Sequence, residues 1–438
     1  MTVLKRSSSG MELELQILDE KGKISNQSKE LIAEVKKRNK KIDLVHEETK
    51  NMVELKSLPR VRLKDSLPRL FDDLGTTIET ADSMGLKIFG LGTYPGKFTA
   101  EQVPKKRYQI QSHIFDKKTQ IFAFGHCSGF HYHYTLPRGV FDSEKKFLKK
   151  LFNSKTKQSL LDSHNLLVAI DPATSCLMQS SPFIDGNFLA KDSRMLQIRN
   201  PDEMDYQKGL FKELEEFGEL PDYMWTMEDL RYRLLAMDKK MKNLMKKTRY
   251  KEEVKKKPIL DFVWTVIKIN KLGTLEYRGC DMNHPKYFAG TAILLKSIQR
   301  MIQQDFYKVE VSDIGIKEPF KVEGTTIYIP PESYVKLKLQ PASAYKGFDD
   351  KEVYNYVKRF FNFAKKHTNK DYLKLLIPLK NLIERKETVS DILIKRVKQK
   401  GYSLNEHIPQ NVCAEIALKH SAQFVKETYR IKDWISGD

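Results

Sequence analysis

An α+β fold is what this 438-residue chain predicts, on three observations. Several short stretches alternate apolar and polar residues at the period of a β-strand. Several longer ones space their apolar residues at the period of a helix. Hydrophobic residues at 40% and aromatic residues at 10% are enough to fill a sizeable core. No internal repeat or low-complexity linker marks a domain boundary.

The first strand is the most informative element. In residues 10–18 (GMELELQIL), Met11, Leu13, Leu15 and Ile17 point one way, and Glu12, Glu14 and Gln16 point the other. A turn at 19–22 ends it. Two carboxylates two residues apart on one strand face lie roughly 6–7 Å apart. At that spacing each can hold its own divalent cation or both can flank one; a solvated edge strand would look the same. A helix follows at 26–39, with Leu31, Ile32 and Val35 on one face and a basic tail. Residues 52–58 form a second strand, with Val53 and Leu55 opposite Glu54, and Glu47 and Glu48 lie where the chain turns into it. A helix over 65–84 carries Leu67, Leu70, Phe71, Leu74, Ile78 and Ala81, capped by Asp65 or Ser66 with Pro68 in its first turn. A short strand, 86–91, leads to the loop 92–98. With Lys105, Lys106, Arg107 and Tyr108, that loop reads as a flexible basic patch or a solvated connection.

The next stretch, 125–137 (GHCSGFHYHYTLP), alternates Phe130, Tyr132 and Tyr134 with His131, His133 and Thr135, so the two histidines share a strand face. Residues 142–152 and 156–170 read as helices, the second apolar enough to be buried. SSPFIDG (180–186) breaks it, and a polar loop then carries Arg194 and Arg199. A long basic helix spans 226–248, with Leu234, Leu235, Met241, Leu244 and Met245 among its apolar positions. In the strand 273–281, Leu275 and Tyr277 oppose Thr274, Glu276 and Arg278. A helix at 286–303, a β-rich excursion at 306–340 and about three further helices complete the chain.

Composition narrows the function classes. Lys and Arg number 77 against 57 Asp and Glu, a net charge of +20. The lysines recur throughout, often beside glutamates, and the densest run, 239–257, has ten Lys/Arg against Glu252 and Glu253 but no recognised nucleic-acid motif. This distribution argues against nucleic-acid binding as the main role and suits a basic enzyme with anionic substrates. No apolar run approaches the roughly 18–20 residues of a membrane span, and the N-terminus lacks the apolar core of a signal peptide. Four scattered cysteines (Cys127, Cys176, Cys280 and Cys413) suggest reduced thiols and a cytoplasmic protein.

Four strands thus each present polar groups on one face: Glu12 and Glu14, Glu54, His131 and His133, Glu276 and Arg278. On one sheet they would line an acidic concave surface with one arginine. Crowded carboxylates repel, and divalent metal is the usual compensation. Such a donor set suits Mg2+ or Mn2+ better than structural zinc, because His126 and Cys127 lack the partner cluster of a zinc module. Histidines satisfied within the sheet are the simpler alternative.

The succession Gly10-x-Glu12-x-Glu14, Glu47 and Glu54, SGFHYHYTLP (128–137) and GTLEYR (273–278) resembles the glutamate–cysteine ligases and related carboxylate–amine ligases of the glutamine synthetase superfamily. The resemblance covers roughly 10–281, with the motifs in order. It implies a glutamine-synthetase-like antiparallel sheet forming a funnel flanked by helices, which binds ATP and two or three Mg2+ or Mn2+ ions. By matched position, Glu14, Glu47 and Glu54 would hold one metal, and Glu12, His131 and Glu276 another. Glu48 could replace Glu47. Arg278, with Glu276, would act in catalysis by meeting the γ-phosphate, and Arg194 would bind phosphate or the substrate carboxylate. Lys105 and Arg107 belong to a basic segment, 92–108, expected to close over the nucleotide. The implied reaction phosphorylates the γ-carboxylate of glutamate and joins it to the amine of cysteine. A different amine, or a non-catalytic basic scaffold, is the alternative. The resemblance divides the chain into a catalytic part, 1–345, including the 306–340 excursion, and a helical part, 346–438, packed on it; it leaves the oligomeric state open.

Overall fold

The structure, a computed structural model, describes residues 7–150, 154–199, 202–261 and 264–436. The expectation for residues 1–6, and for 151 and 152 of the helix at 142–152, lies outside them. Strands β1 (Ser9–Asp19), β2 (Asp43–His46), β3 (Met52–Lys56), β4 (Leu86–Phe89) and β5 (Gly129–Thr135) belong to one sheet. Two small hairpins follow, β6 (Phe141–Asp142) with β7 (Phe147–Leu148), and β8 (Phe183–Ile184) with β9 (Asn187–Phe188). Then β10 (Ile267–Asn270) and β11 (Thr274–Asp281) complete the main sheet, whose order is β10-β11-β5-β1-β3-β2, with β4 paired to the end of β1. Every pairing in it is antiparallel.

The alternation in the sequence decides which face is buried. Leu13, Leu15, Phe130, Tyr132, Leu275 and Tyr277 are all buried on one face. Helices 63–83, 155–178, 285–305 and 410–436 belong to the core on that side, where Phe130 and Phe71 both stack on Phe288. Removing this apolar surface from water is the main driving force for the arrangement. The other face carries the polar residues and is left uncovered by these four helices.

One strand changes phase along its length. Tyr277 pairs with Tyr132, but Cys280 pairs with Phe130, so β11 has one more residue than β5 between these pairs. This β-bulge lets Tyr277 and Cys280 face the same core although three residues apart. Gly279 sits in the bulge; a Cβ there would fall 2.2 Å from Asp171 Oδ1. Beneath it, Arg199 forks onto Asp171 and donates to the Gly279 carbonyl at 2.7 Å, while the Tyr277 hydroxyl donates to Asp171 at 2.8 Å. A fully buried ion pair thus ties helix 155–178 to β11.

Several elements differ from the sequence expectations. Residues 142–148 form the β6–β7 hairpin rather than a helix, because Phe147 and Leu148 are buried as a strand while the lysines stay outside. The loop 92–98 is not a flexible patch: residues 92–96 are buried, with Gly92 donating to Ser180, Thr93 to the Phe183 carbonyl and Tyr94 to the Gly22 carbonyl. Arg194 and Arg199 lie not in a polar loop but in and just after a short buried helix, Ser193–Ile198. The helix expected at 65–84 starts at Leu63, Asp65 pairs with Arg62 instead of capping, and Pro68 lies inside it. In the basic helix Met227–Leu244, Met237 and Met241 are buried, whereas Leu235 and Leu244 are exposed. The excursion is a separate sheet of β12 (Lys308–Val311), β13 (Val322–Glu323) and β14 (Thr326–Ile329), and from Tyr334 the chain is already helical. After residue 346 there are four α-helices, 351–366, 377–385, 389–399 and 410–436, not three. Strands β2 and β10 and the helices Lys106–Gln111 and Lys117–His126 are too short or too polar to have shown in the sequence pattern. No helix among the described residues is long and apolar enough to cross a membrane.

The buried pair yields a stability prediction. Arg199→Leu leaves Asp171 charged and unpaired, which should cost about 3–5 kcal/mol. Urea unfolding monitored by circular dichroism measures it; a loss below about 1 kcal/mol would show that Asp171 finds other partners.

Candidate active site

The register of the central strands builds the site. Glu14 lies opposite Glu54, Glu12 opposite both Lys56 and His131, and His133 opposite Glu276. Because β-strand side chains alternate, these residues emerge on one face as a continuous polar row across β3, β1, β5 and β11. Gln16 extends the row inward; its amide donates to the His126 carbonyl at 2.8 Å and fixes the start of β5. The row floors a cavity of about 610 Å3. Glu12, Glu14, Glu54, Glu276 and Arg278 line it together with Glu47, Glu48, Lys105, Arg107 and His131.

Two groups of side chains converge on common points. Glu12, His131 and Glu276 offer donor atoms that all lie within 4.8 Å of one another, and so do Glu14, Glu54 and His131. The first trio is the set anticipated for one metal. In the second, His131 stands where Glu47 was expected, and Glu47 lines the same cavity nearby. His131 Nδ1 is 3.4 Å from Glu12 and its Nε2 is 3.4 Å from Glu14, so the imidazole is wedged between both groups. His133 Nε2 is 3.4 Å from Glu12 and 3.9 Å from Glu276. Glu48 turns away into the amides of Gln102 and Gln120, and burial pushes its carboxyl up to about 8.

The electrostatics are divided across the row. Burial raises the carboxyls of Glu14, Glu47 and Glu54, and mutual repulsion among these residues and Glu12 raises them further. Glu276 is the opposite case. Burial works to raise it, but Lys268, Arg278 and His133 outweigh that and hold it well below the usual carboxylate range. Glu12 is likewise held low against burial by His131, His133 and Lys56. Burial, with Arg278 nearby, brings His131 down to about 4, which leaves a neutral imidazole with a lone pair to offer.

The cations are placed with equal specificity. Arg278 Nη1 donates to Glu276 at 3.1 Å, and its guanidinium lies 5.1 Å over the Trp264 ring. Lys105 and Arg107 line the cavity beside Tyr108. Arg194 does not line it; its guanidinium lies on the polar face against Gly129, where a Cβ would fall 2.3 Å from Nη2 and 3.1 Å from His131 Nε2, and its charge works against the burial that raises the carboxyl of Glu14. Sequence reasoning missed Lys56, which bridges Glu54 at 2.6 Å and Glu12 at 3.2 Å, although its spacing from Glu54 already put both on one strand face. It also missed Lys268 and Asn270 on β10; Asn270 donates to Glu276 at 2.6 Å. Burial brings Lys268 down to about 8 despite the neighbouring Glu276. All four cysteines are free and buried, and none lines the cavity.

The residues present fit divalent cations. Crowded carboxylates, one neutral imidazole and two buried imidazole Nε2 atoms without hydrogen-bond partners, on His131 and His133, form an oxygen-rich donor set.

Comparison with known proteins gives the chain its fold relatives and its family. Among solved structures, the fold is similar to a glutamate–cysteine ligase from Francisella tularensis in complex with AMP. The two share 13% identity and a TM-score of 0.57, over 99% of this chain and 93% of that one. It is also similar to a bifunctional glutathione synthetase from Pasteurella multocida, at 13% identity and a TM-score of 0.54. That match covers 96% of this chain, which spans 53% of the bifunctional protein. Likenesses at such identity speak for the fold alone. No curated protein matches the chain in sequence. The profile of glutamate–cysteine ligase family 2 matches residues 8–284, a segment that holds every strand of the main sheet and every residue of the polar row. This chain belongs to glutamate–cysteine ligase family 2 and is a carboxylate–amine ligase.

Proposed function

We propose that the chain is an ATP-dependent glutamate–cysteine ligase, which phosphorylates the γ-carboxylate of glutamate and joins it to the amine of cysteine. The observation that carries this reading is the polar row, with two convergent donor groups flanking His131 and Arg278 at its edge. Glu12, His131 and Glu276 would hold one Mg2+ or Mn2+ ion, and Glu14 and Glu54, with Glu47 beside them, another or two. Bound ions would neutralise charge on the phosphate oxygens.

The chain's own residues do the rest. Lys105 and Arg107, on the cavity wall, attract and hold the polyphosphate of ATP. Arg278 meets the transferring phosphoryl group with a planar fork already oriented by Glu276 and Trp264. Arg194, on the polar face against Gly129, offsets part of the burial that raises the Glu14 carboxyl. The amine then attacks the acyl carbon of the acyl phosphate, the C–N bond forms as the C–O bond to phosphate breaks, and inorganic phosphate leaves with loss of a proton from the amine, so no cysteine nucleophile of the protein takes part. Phe124, Leu260, Trp264 and Leu272 give the cavity apolar walls that limit hydrolysis of that intermediate. With residues 92–96 fixed in the interior, closure falls to the segment 105–111 rather than to the whole of 92–108. We read the sheet as a glutamine-synthetase-like funnel, residues 1–345 as the catalytic part, and 346–438 as a helical part packed on it.

ADP release with glutamate, screened across amines with and without cysteine, tests the proposal. Release that depends on both glutamate and cysteine is the expected result. Release with another amine at a higher kcat/KM would move the chain to a different acceptor within its family.

Glu12→Gln, Glu14→Gln and Glu276→Gln should each lower turnover at least a hundredfold while circular dichroism stays native, since all three face the cavity and not the core. Full activity in any two of them overturns the metal assignment. EDTA should abolish activity, and Mg2+ or Mn2+ should restore it.

Arg278→Lys keeps the charge and loses the fork. Its kcat should fall about two to three orders of magnitude, or roughly 3–4 kcal/mol, with the KM for ATP changed only a few-fold. A lowered melting temperature with kcat within a few-fold of wild type would reduce Arg278 to the ion pair with Glu276.

A further inference from the structure

A second cleft lies behind β5, on the side away from the polar row. Helix 285–305, the start of helix 63–83 and the turn at 366–372 enclose about 750 Å3, a volume suited to a small molecule. Its charged lining is Arg62, Lys64, Lys296, Arg300 and Lys366 against a single acid, Asp371. Arg62 pairs with Asp65 and Arg300 with Asp305, but Lys64, Lys296 and Lys366 have no carboxylate within ion-pair distance among the described residues. Lysines elsewhere on this basic chain often have one, as Lys37, Lys87 and Lys400 do.

Lys296 is the centre of the cleft. It is half-buried, donates to the Ser9 hydroxyl at 3.2 Å and the Ser7 carbonyl at 3.4 Å, and lies 4.9 Å over the ring of Tyr134. Burial and the neighbouring Arg300 bring its ammonium down to about 8, the mark of a cation short of countercharge. Beside it, the hydroxyls of Ser297 and Thr368 pair at 3.0 Å, and the buried His367 Nε2 has no hydrogen-bond partner. A concave wall of one charge sign focuses its field into the cleft, and Lys and Arg are the side chains that bind phosphate.

We propose that this cleft is a second binding site, for a small anion carrying two or more phosphate charges, centred on Lys296. Most of its cations, Lys296, Arg300 and Lys366, lie outside the residues that the family profile matches. Its position gives it a route to the active site. Lys296 touches the beginning of β1 through Ser9 and the end of β5 through Tyr134, and those strands carry Glu12, His131 and His133 on the opposite face. An anion that draws Lys296 away from these contacts would loosen the two strands whose register sets the polar row.

Calorimetric titration of the full chain with inorganic pyrophosphate in EDTA, with sulfate at equal ionic strength as the comparison, tests the site. Lys64→Glu combined with Lys366→Glu, both exposed positions, should weaken pyrophosphate binding at least tenfold, and Lys296→Met should do the same. Lys105→Glu with Arg107→Glu, which alters only the wall of the main cavity, should leave one binding event within twofold of wild type. Pyrophosphate binding unchanged in the Lys64/Lys366 variant, or sulfate binding as tightly as pyrophosphate, overturns the proposal. Because metal is absent and no turnover is read, the outcome is independent of which amine the enzyme uses.

Discussion

The site depends on the register with which β1 pairs with its two neighbours. Strand side chains alternate, so a slip of one residue against β3 or β5 would send Glu12 and Glu14 into the core and Leu13 into the cavity. The slip is prevented by the apolar side, where Leu13 and Leu15 are completely buried beside Phe130 and Tyr132. Burying each such side chain is worth about 1.5–3 kcal/mol, and a slipped register would forfeit several at once. The hydrophobic face therefore positions the chemical one, although no residue of the first touches a substrate.

On the polar face, the opposing demand is to keep several carboxylates close together without unfolding the sheet. The chain meets it unevenly. Around Glu276 the countercharges are built in, with Lys268, Arg278 and His133 close by and Asn270 donating a hydrogen bond. Around Glu14, Glu47 and Glu54 the built-in cations, Lys56 and Arg194, fall short, and burial with repulsion raises all three carboxyls. That half of the cavity is where added positive charge lowers the free energy most.

Much of this was legible in the sequence because period-two alternation reports the face a residue takes. Glu12, Glu14, Glu54, His131, Glu276 and Arg278 were all assigned to polar strand faces by that rule, and the structure brings them to one cavity. What alternation cannot report is which strands are neighbours, so the approach of His131 to Glu14 and Glu54 and the place of Arg194 against Gly129, off the cavity lining, were not visible. Short elements failed for a related reason. The β6–β7 hairpin offers only two residues per strand, and the lysines around it imitate the polar face of a helix. The buried loop 92–96 was misread because Gly, Thr and Pro suit a solvent-exposed turn and a tightly packed one alike; only its partners, Ser180, Phe183 and Gly22, decide.

The bulge in β11 acts as a gear between two halves of one strand. Upstream of it the even-numbered residues, Thr274, Glu276 and Arg278, lie on the polar face; downstream the even-numbered Cys280 looks into the core, and Asp281 receives the Ser180 amide. Deleting Gly279 would remove the bulge, leaving Tyr277 and Cys280 two residues apart with each keeping its core face opposite Tyr132 and Phe130; what would go is the Gly279 carbonyl that accepts from Arg199 and Ser175. A variant with one residue fewer between Tyr277 and Cys280 would keep Arg278 aimed at the cavity but leave the buried Arg199 guanidinium and the Ser175 hydroxyl without this acceptor, so the bulge serves the anchor beneath the sheet and not the reactive face above it.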